Sequence, residues 1–324
     1  MRRPDADDDD TIRVARPAAR RRQPPALLVA GGVLAALLLI GGGGFLALRP
    51  AALPPIPIDT ETEAQIDSTQ PCTIQVSHFA PDPDIVVLDF PNLTMQGQAL
   101  DRVAAFVEKA GLPRDRVLND SDLAAAIAAS GSTVENYYYG HDYKVADLQN
   151  FFRLADADGI RLNPQEGWLR SLLAQLGWLT AGANGALITV PAAGGPITPE
   201  MRAVILHHEI SHGAFYTIPA YAGYALTFWN SLTSQDRAAF THFLGSEGYD
   251  TTDTTLIYNE TQAYLIFTTD PRFFNGSVVG MTQGQIDTLR AGYIAGMPQF
   301  WLTKLANETL PIAPAPAACP AGAG

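Results

Sequence analysis

His207-His208-Glu209-Ile210-Ser211-His212-Gly213 packs three of the chain's six histidines into six positions. On a helix, residues four apart lie about 40° apart around the axis and one turn above each other, so His208 and His212 can reach one metal ion. Glu209 projects about 100° from His208, which turns its carboxylate toward the open side of such an ion. The flanks carry a helix start and stop. Thr198 is an N-cap, Pro199 suits the first helical position, and Glu200 adds an early acid. Met201, Val204, Ile205 and Leu206 continue an apolar face, and Pro219 ends the element no later than Ile218. His207 lies on a different side from His212 and reads as packing or support for a ligand.

A third ligand has to come from elsewhere. In metzincins it is a histidine ten positions after the first, with a glycine at seven. Those positions hold Ile218 and Phe215, which excludes that class. Downstream, Leu256 to Phe267 reads as a second helix capped by Asp253 or a nearby Thr. There Glu260, Ala263, Tyr264 and Phe267 share a face at i, i+3, i+4 and i+7. With these residues the chain resembles the gluzincin branch of zinc metallopeptidases, in which a second helix brings a Glu to the metal, often in an Asn-Glu pair. Asn259-Glu260 matches. The resemblance spans about residues 198–267 and reaches no particular family. Thermolysin-like members carry an acid four residues after the ligand Glu, where this chain has Tyr264, and there is no aminopeptidase-type Gly-x-Met-x-Asn segment. Asp250 and Asp253 are the rival third ligands.

The resemblance implies one Zn2+ on His208, His212 and Glu260, a fourth position left to water, and Glu209 as general base. Tyr258, Tyr264, Tyr216 and His141 are candidate donors to the oxyanion. The fold class implied is α+β and predominantly helical: a zincin-like metallopeptidase domain with a small sheet, preceded by one transmembrane helix. The expected function is a membrane-anchored, extracytoplasmic zinc peptidase acting on a peptide or protein substrate. The alternatives are a zincin-like envelope binding or scaffold protein without turnover, and a zinc amidase acting on a non-protein envelope amide.

Outside this core the chain divides by composition. Residues 1–25 have disordered composition, with seven arginines against five aspartates. Ala26 to Leu48 gives 23 uncharged residues, enough for one membrane-spanning signal anchor. Arg20-Arg21-Arg22 before it set the N-terminus in the cytoplasm and the rest outside, and no clean small-residue cleavage site follows. Residues 49–71 read as a Pro-rich tether, 72–310 as the metallopeptidase domain, and 311–324 as a Pro/Ala-rich tail. Beyond residue 25, 14 basic and 28 acidic side chains leave a net charge of about −14, which argues against nucleic acid as a partner. Cys72 and Cys319, the two cysteines of the chain, bracket the domain and read as one disulfide in an oxidising compartment.

Helices are expected over 98–110, over 123–129 behind the start signal Asp120-Ser121-Asp122, and over 145–155 and 167–176. Asp156-Ala157-Asp158-Gly159 has some look of a calcium loop. Leu154 stands where the first ligand is needed, so it reads as a helix C-terminal turn. Tyr137 to Tyr143, with its His141-Asp142 pair, can line a cleft or simply pack. Ala186 to Pro191 is the clearest strand, and its terminal proline suggests a sheet edge.

Overall fold

The computed structural model describes residues 54–308 together with Cys319. The polar stretch 1–25, the apolar run Ala26–Leu48 and the tail 311–324 apart from Cys319 lie outside the described residues. Among the described residues no helix is long and apolar enough to cross a membrane. The fold class is corrected accordingly: the described residues form helices on a five-stranded sheet with no membrane-spanning helix among them, and the anchor expected at Ala26–Leu48 lies outside them. The longest helix, 19 residues over Pro199–Thr217, carries Glu200, Arg202, three histidines and Glu209, the reverse of a lipid-facing surface.

The chain runs β1 (Asp59–Glu61), α1 (Glu63–Ser68), β2 (Gln75–Phe79), β3 (Asp82–Phe90), α2 (Leu93–Val107), α3 (Asp120–Ala129), β4 (His141–Lys144), α4 (Val145–Ala157), α5 (Pro164–Gln175) and β5 (Ala186–Pro191). Then come α6 (Pro199–Thr217), α7 (Pro219–Ser231), α8 (Ser234–Ser246), α9 (Thr254–Gln262), a π-helical turn over Ala263–Phe267, α10 (Gly276–Val279), α11 (Gln283–Gly296) and α12 (Trp301–Leu305). The strands form a five-stranded mixed sheet in the order β1-β2-β3-β5-β4. This is larger than the small sheet expected. The reason lies in β3: Ile85-Val86-Val87-Leu88 is an uninterrupted apolar run, so both faces of the sheet are covered.

Strand periodicity sorts the core into two layers. Ile85, Val87, Ile188 and Val190 pack with Leu206, Ile210 and Ala214 of α6 and with α7, α8, α9 and α11. Val86, Leu88, Phe90 and Leu187 face the other way, onto Leu100, Val103, Phe151 and Leu172 of α2, α4 and α5. β5 is no edge strand. It runs parallel to β3 and antiparallel to β4, which is the outer strand. Pro191 is tolerated because it ends β5, where its missing N–H costs a single ladder bond.

The stretch read as a tether also joins the domain: from residue 59 it supplies β1, parallel to β2, and α1, packed on α6. Thr62 accepts from Gln65 N–H while the Gln65 side chain accepts from Thr62 N–H, a reciprocal cap that starts α1. Cys72 and Cys319 are joined by a disulfide, as expected from their positions.

α6 begins as read, with Thr198 Oγ1 accepting from Met201 N–H and Pro199 in the first turn. At Gly213 a Cβ would stand 2.9 Å from the Ile85 side chain, so the absence of a side chain lets α6 lie directly on β3. That contact sets the height of the histidines over the sheet.

Candidate metal centre

α6 and α9 bring His208, His212 and Glu260 to one point. His208 Nε2 and His212 Nε2 are 3.0 Å apart, Glu260 Oε2 is 3.8 Å from the first, and Glu260 Oε1 is 3.7 Å from the second. A tetrahedral zinc with bonds of about 2.0–2.1 Å spaces its donor atoms roughly 3.3–3.4 Å apart. The three edges bracket that value, and the donor set of two imidazoles and a carboxylate suits zinc.

The surroundings fit a cation as well. Glu209 Oε2, Glu260 Oε2 and His212 Nδ1 are buried without a hydrogen-bond partner. Glu108, Asp142, Glu209 and Glu260 are all buried around this point. Among the described residues no Lys or Arg lies within ion-pair distance of any of them. The ammonium of Lys109, next to Glu108 in the chain, sits instead over the rings of Tyr137 and Tyr138, at 4.6 and 4.3 Å. Four buried carboxylates with no cation are costly as they stand.

Burial, with Asp142, Glu260 and Glu108 nearby, holds the Glu209 carboxyl well above its ordinary value. Burial raises Glu260 to about 7, against the pull of His212. Burial pushes His208 down to about 4, so its ring is neutral and able to ligate. The His208 tautomer follows from its partner. Thr268 Oγ1 lies 2.8 Å from Nδ1 and donates onward to the Ala263 carbonyl at 3.3 Å. Nδ1 is therefore the protonated nitrogen, and Nε2 offers its lone pair to the site.

Thr268 could not be found by helical counting. It follows the π-helical turn over Ala263–Phe267, which adds a residue to the turn after α9 and shifts the register. Beside His208 it is a neutral acceptor, the role for which the resemblance pointed to the position of Tyr264. Tyr264 stacks edge-on against the His208 ring at 4.8 Å. Asn259, beside Glu260, donates to the Tyr216 hydroxyl at 3.2 Å, and Tyr216 donates to Asp142 Oδ1 at 2.6 Å. Gln262 donates to Ser211 Oγ at 3.2 Å and ties α9 to α6.

Asp142 is the residue that sequence reasoning left out of the site. Within His141-Asp142 the pair was legible, but strand alternation divides it. Asp142 points with Ile188 toward α6, whereas His141 points with Thr189 toward α2. His141 Nδ1 is 3.2 Å from Thr189 Oγ1, and burial pushes its ring down to about 3. His141 is thus removed from the list of oxyanion donors. Asp250 and Asp253 are elsewhere too. The first accepts from Thr252 and lies 3.6 Å from Arg114; the second caps α9 through Thr255 and Leu256 N–H. His207 is turned away from the site, its Nδ1 2.6 Å from Glu63 Oε1 of α1. Asp156 and Asp158 end α4, with Gly159 at φ 64° closing the turn.

Comparison with protein-family models, characterised proteins and solved structures returns no match.

Proposed function

We propose that the chain is a zinc-dependent peptidase of gluzincin type, with His208, His212 and Glu260 as metal ligands and Glu209 as general base. The observation that carries this reading is the convergence of those three donors among four buried carboxylates that have no cation of their own. A zinc ion bound there would polarise the scissile carbonyl and acidify water. Glu209 stands beside the ligands: its donor atom, that of Asp142 and that of His212 lie within 4.8 Å of one another. Its burial favours proton uptake, so it can accept a proton from water and return it to the leaving amine. Thr268 keeps His208 in the ligating tautomer. The disulfide suits an oxidising compartment.

The test is hydrolysis of a mixed peptide library by the full chain, read by mass spectrometry with and without chelator. Chelator-sensitive cleavage supports the proposal. Zinc binding with no peptide cleaved points to a binding protein or to an amidase with a different amide substrate. Absence of bound zinc overturns it.

A further inference from the structure

The proposed general base is shut off from water in this structure. Glu209 is 6% exposed, and its Oε2 is buried with no partner. At Gly140 a Cβ would stand 2.1 Å from Glu209 Oε1 and 2.9 Å from the Ile205 side chain, so the Gly140 backbone lies directly on the carboxylate and on α6. Behind it His212 and Glu260 are each 1% exposed. A base meets its water across about 2.6–3.2 Å, and an extended peptide beside a strand needs about 4.8 Å. Gly140 leaves room for neither.

Gly140 is the last of ten residues, 131–140, that form neither helix nor strand and join α3 to β4. Gly131, at φ 74°, begins them. Side chains of α2 and the turn after it hold this segment down. Gln96 Nε2 donates to the Tyr139 carbonyl at 2.9 Å, and Thr94 Oγ1 donates to Glu135 at 3.2 Å. Lys109 places its ammonium over the rings of both Tyr137 and Tyr138 and enters no ion pair among the described residues. The Tyr138 ring also meets that of Tyr249 at 6.4 Å, and Tyr249 is bridged through its backbone to Lys109.

We infer that residues 131–140 form a lid, closed over Glu209 in this structure and latched by Lys109 on the Tyr137 and Tyr138 rings, which lifts to admit water and substrate to the metal centre. The inference rests on the zinc-peptidase reading above and concerns access to that site. A segment outside helix and sheet, held by a few side chains and bounded by glycines, can open without unfolding the rest of the chain. The cation on the two rings is the contact that opposes opening.

The experiment is hydrogen exchange of the zinc-loaded full chain, read by mass spectrometry, together with the rate at which excess chelator removes the zinc. In wild type the amides of 132–139 should exchange as one unit and faster than those of β5. Lys109→Met, which keeps the stem and loses the charge, should speed both lid exchange and zinc release about tenfold, the factor of one partly desolvated cation–π contact, with β5 unchanged. Lys109→Arg keeps a cation on the rings and should restore the wild-type rates. Gln96→Met, which removes the bond to the Tyr139 carbonyl, should act in the same direction as Lys109→Met and decides the matter should that variant destabilise β5 as well. A lid that exchanges only as slowly as β5, or that is indifferent to both variants, overturns the inference. So does zinc release that keeps its wild-type rate while the lid exchanges faster. A wild-type chain that binds no zinc removes the metal reading instead, and exchange in the metal-free chain still tests the latch.

Discussion

Helix α6 carries two buried polar clusters, and they are solved in opposite ways. Two turns before the histidines, Arg202 is fully buried. It donates to both oxygens of Asp89 at 2.8 Å, to the Pro191 carbonyl at 2.9 Å and to the Ile66 carbonyl at 2.6 Å. That cluster brings its own cation and joins α1, β3, β5 and α6. Around His208 and His212 the carboxylates outnumber any counter-charge, and buried oxygens go unpaired. A protein that can satisfy one buried carboxylate this thoroughly has left others bare for a different reason. The first cluster is complete as folded; on the proposed reading the second is completed by a zinc ion.

Removing ligands from the second cluster should have the largest effect. His212→Ala and Glu260→Ala are expected to lose the bound zinc measured by elemental analysis and, with it, all detectable peptide hydrolysis. Stabilisation by excess zinc should disappear too, about 4 kcal/mol at a thousandfold excess over Kd. Undiminished zinc in Glu260→Ala would break the contrast at its centre. Arg202→Met should act on stability alone. Stranding Asp89 without its partner costs about 3–5 kcal/mol, read as a lower urea midpoint, by the same amount with and without zinc. A zinc-dependent cost would mean that the two clusters are coupled along α6.

Glu209→Gln is expected to leave zinc content and fold intact and to lower turnover at least about 100-fold, the loss of a general base. Turnover near wild type would reassign the base, and lost zinc would make Glu209 structural.

The smallest effect is the dependence on pH. Without metal the Glu260 carboxyl sits at about 7, above its ordinary 4.5, so the folded chain holds that proton more tightly than the unfolded one. Its contribution is present below pH 4.5 and is lost as pH rises to about 7. Zinc requires the ionised carboxylate, so its binding strengthens over the same range. Asp89, raised by burial to about 6, shifts the metal-free and zinc-loaded curves alike and cancels in their difference. The urea midpoint of metal-free chain should therefore fall from pH 4.5 to 7 relative to that of zinc-loaded chain. Parallel curves would deny Glu260 its place at the metal.

The two clusters also mark what could be read from the sequence. His208, Glu209, His212 and Glu260 are related by helical spacing within α6 and α9, and local periodicity exposes them. Arg202 and Asp89 are 113 positions apart and gave no signal. Asp142 and Thr268 were hidden for different reasons. Asp142 reaches the site because β4 adds to the free side of β5, a pairing that no local pattern announces, and the proline ending β5 suggested the opposite. Thr268 depends on the π-helical turn after α9, which breaks the 3.6-residue count on which reading a helix relies. The β2–β3 hairpin also went unread, although Ile85 to Leu88 is an apolar run of the kind a buried strand leaves.

The bond between Cys72 and Cys319 has a mechanical consequence. It links residues 247 positions apart whose Cα atoms are 5.5 Å from one another. A pulling force applied to the chain immediately before Cys72 and after Cys319 would pass straight through the sulfur bridge, and the strands and helices between would carry no load. A cut anywhere in that interval would likewise leave one molecule of unchanged covalent connectivity between its ends, separable into two pieces only by a reductant.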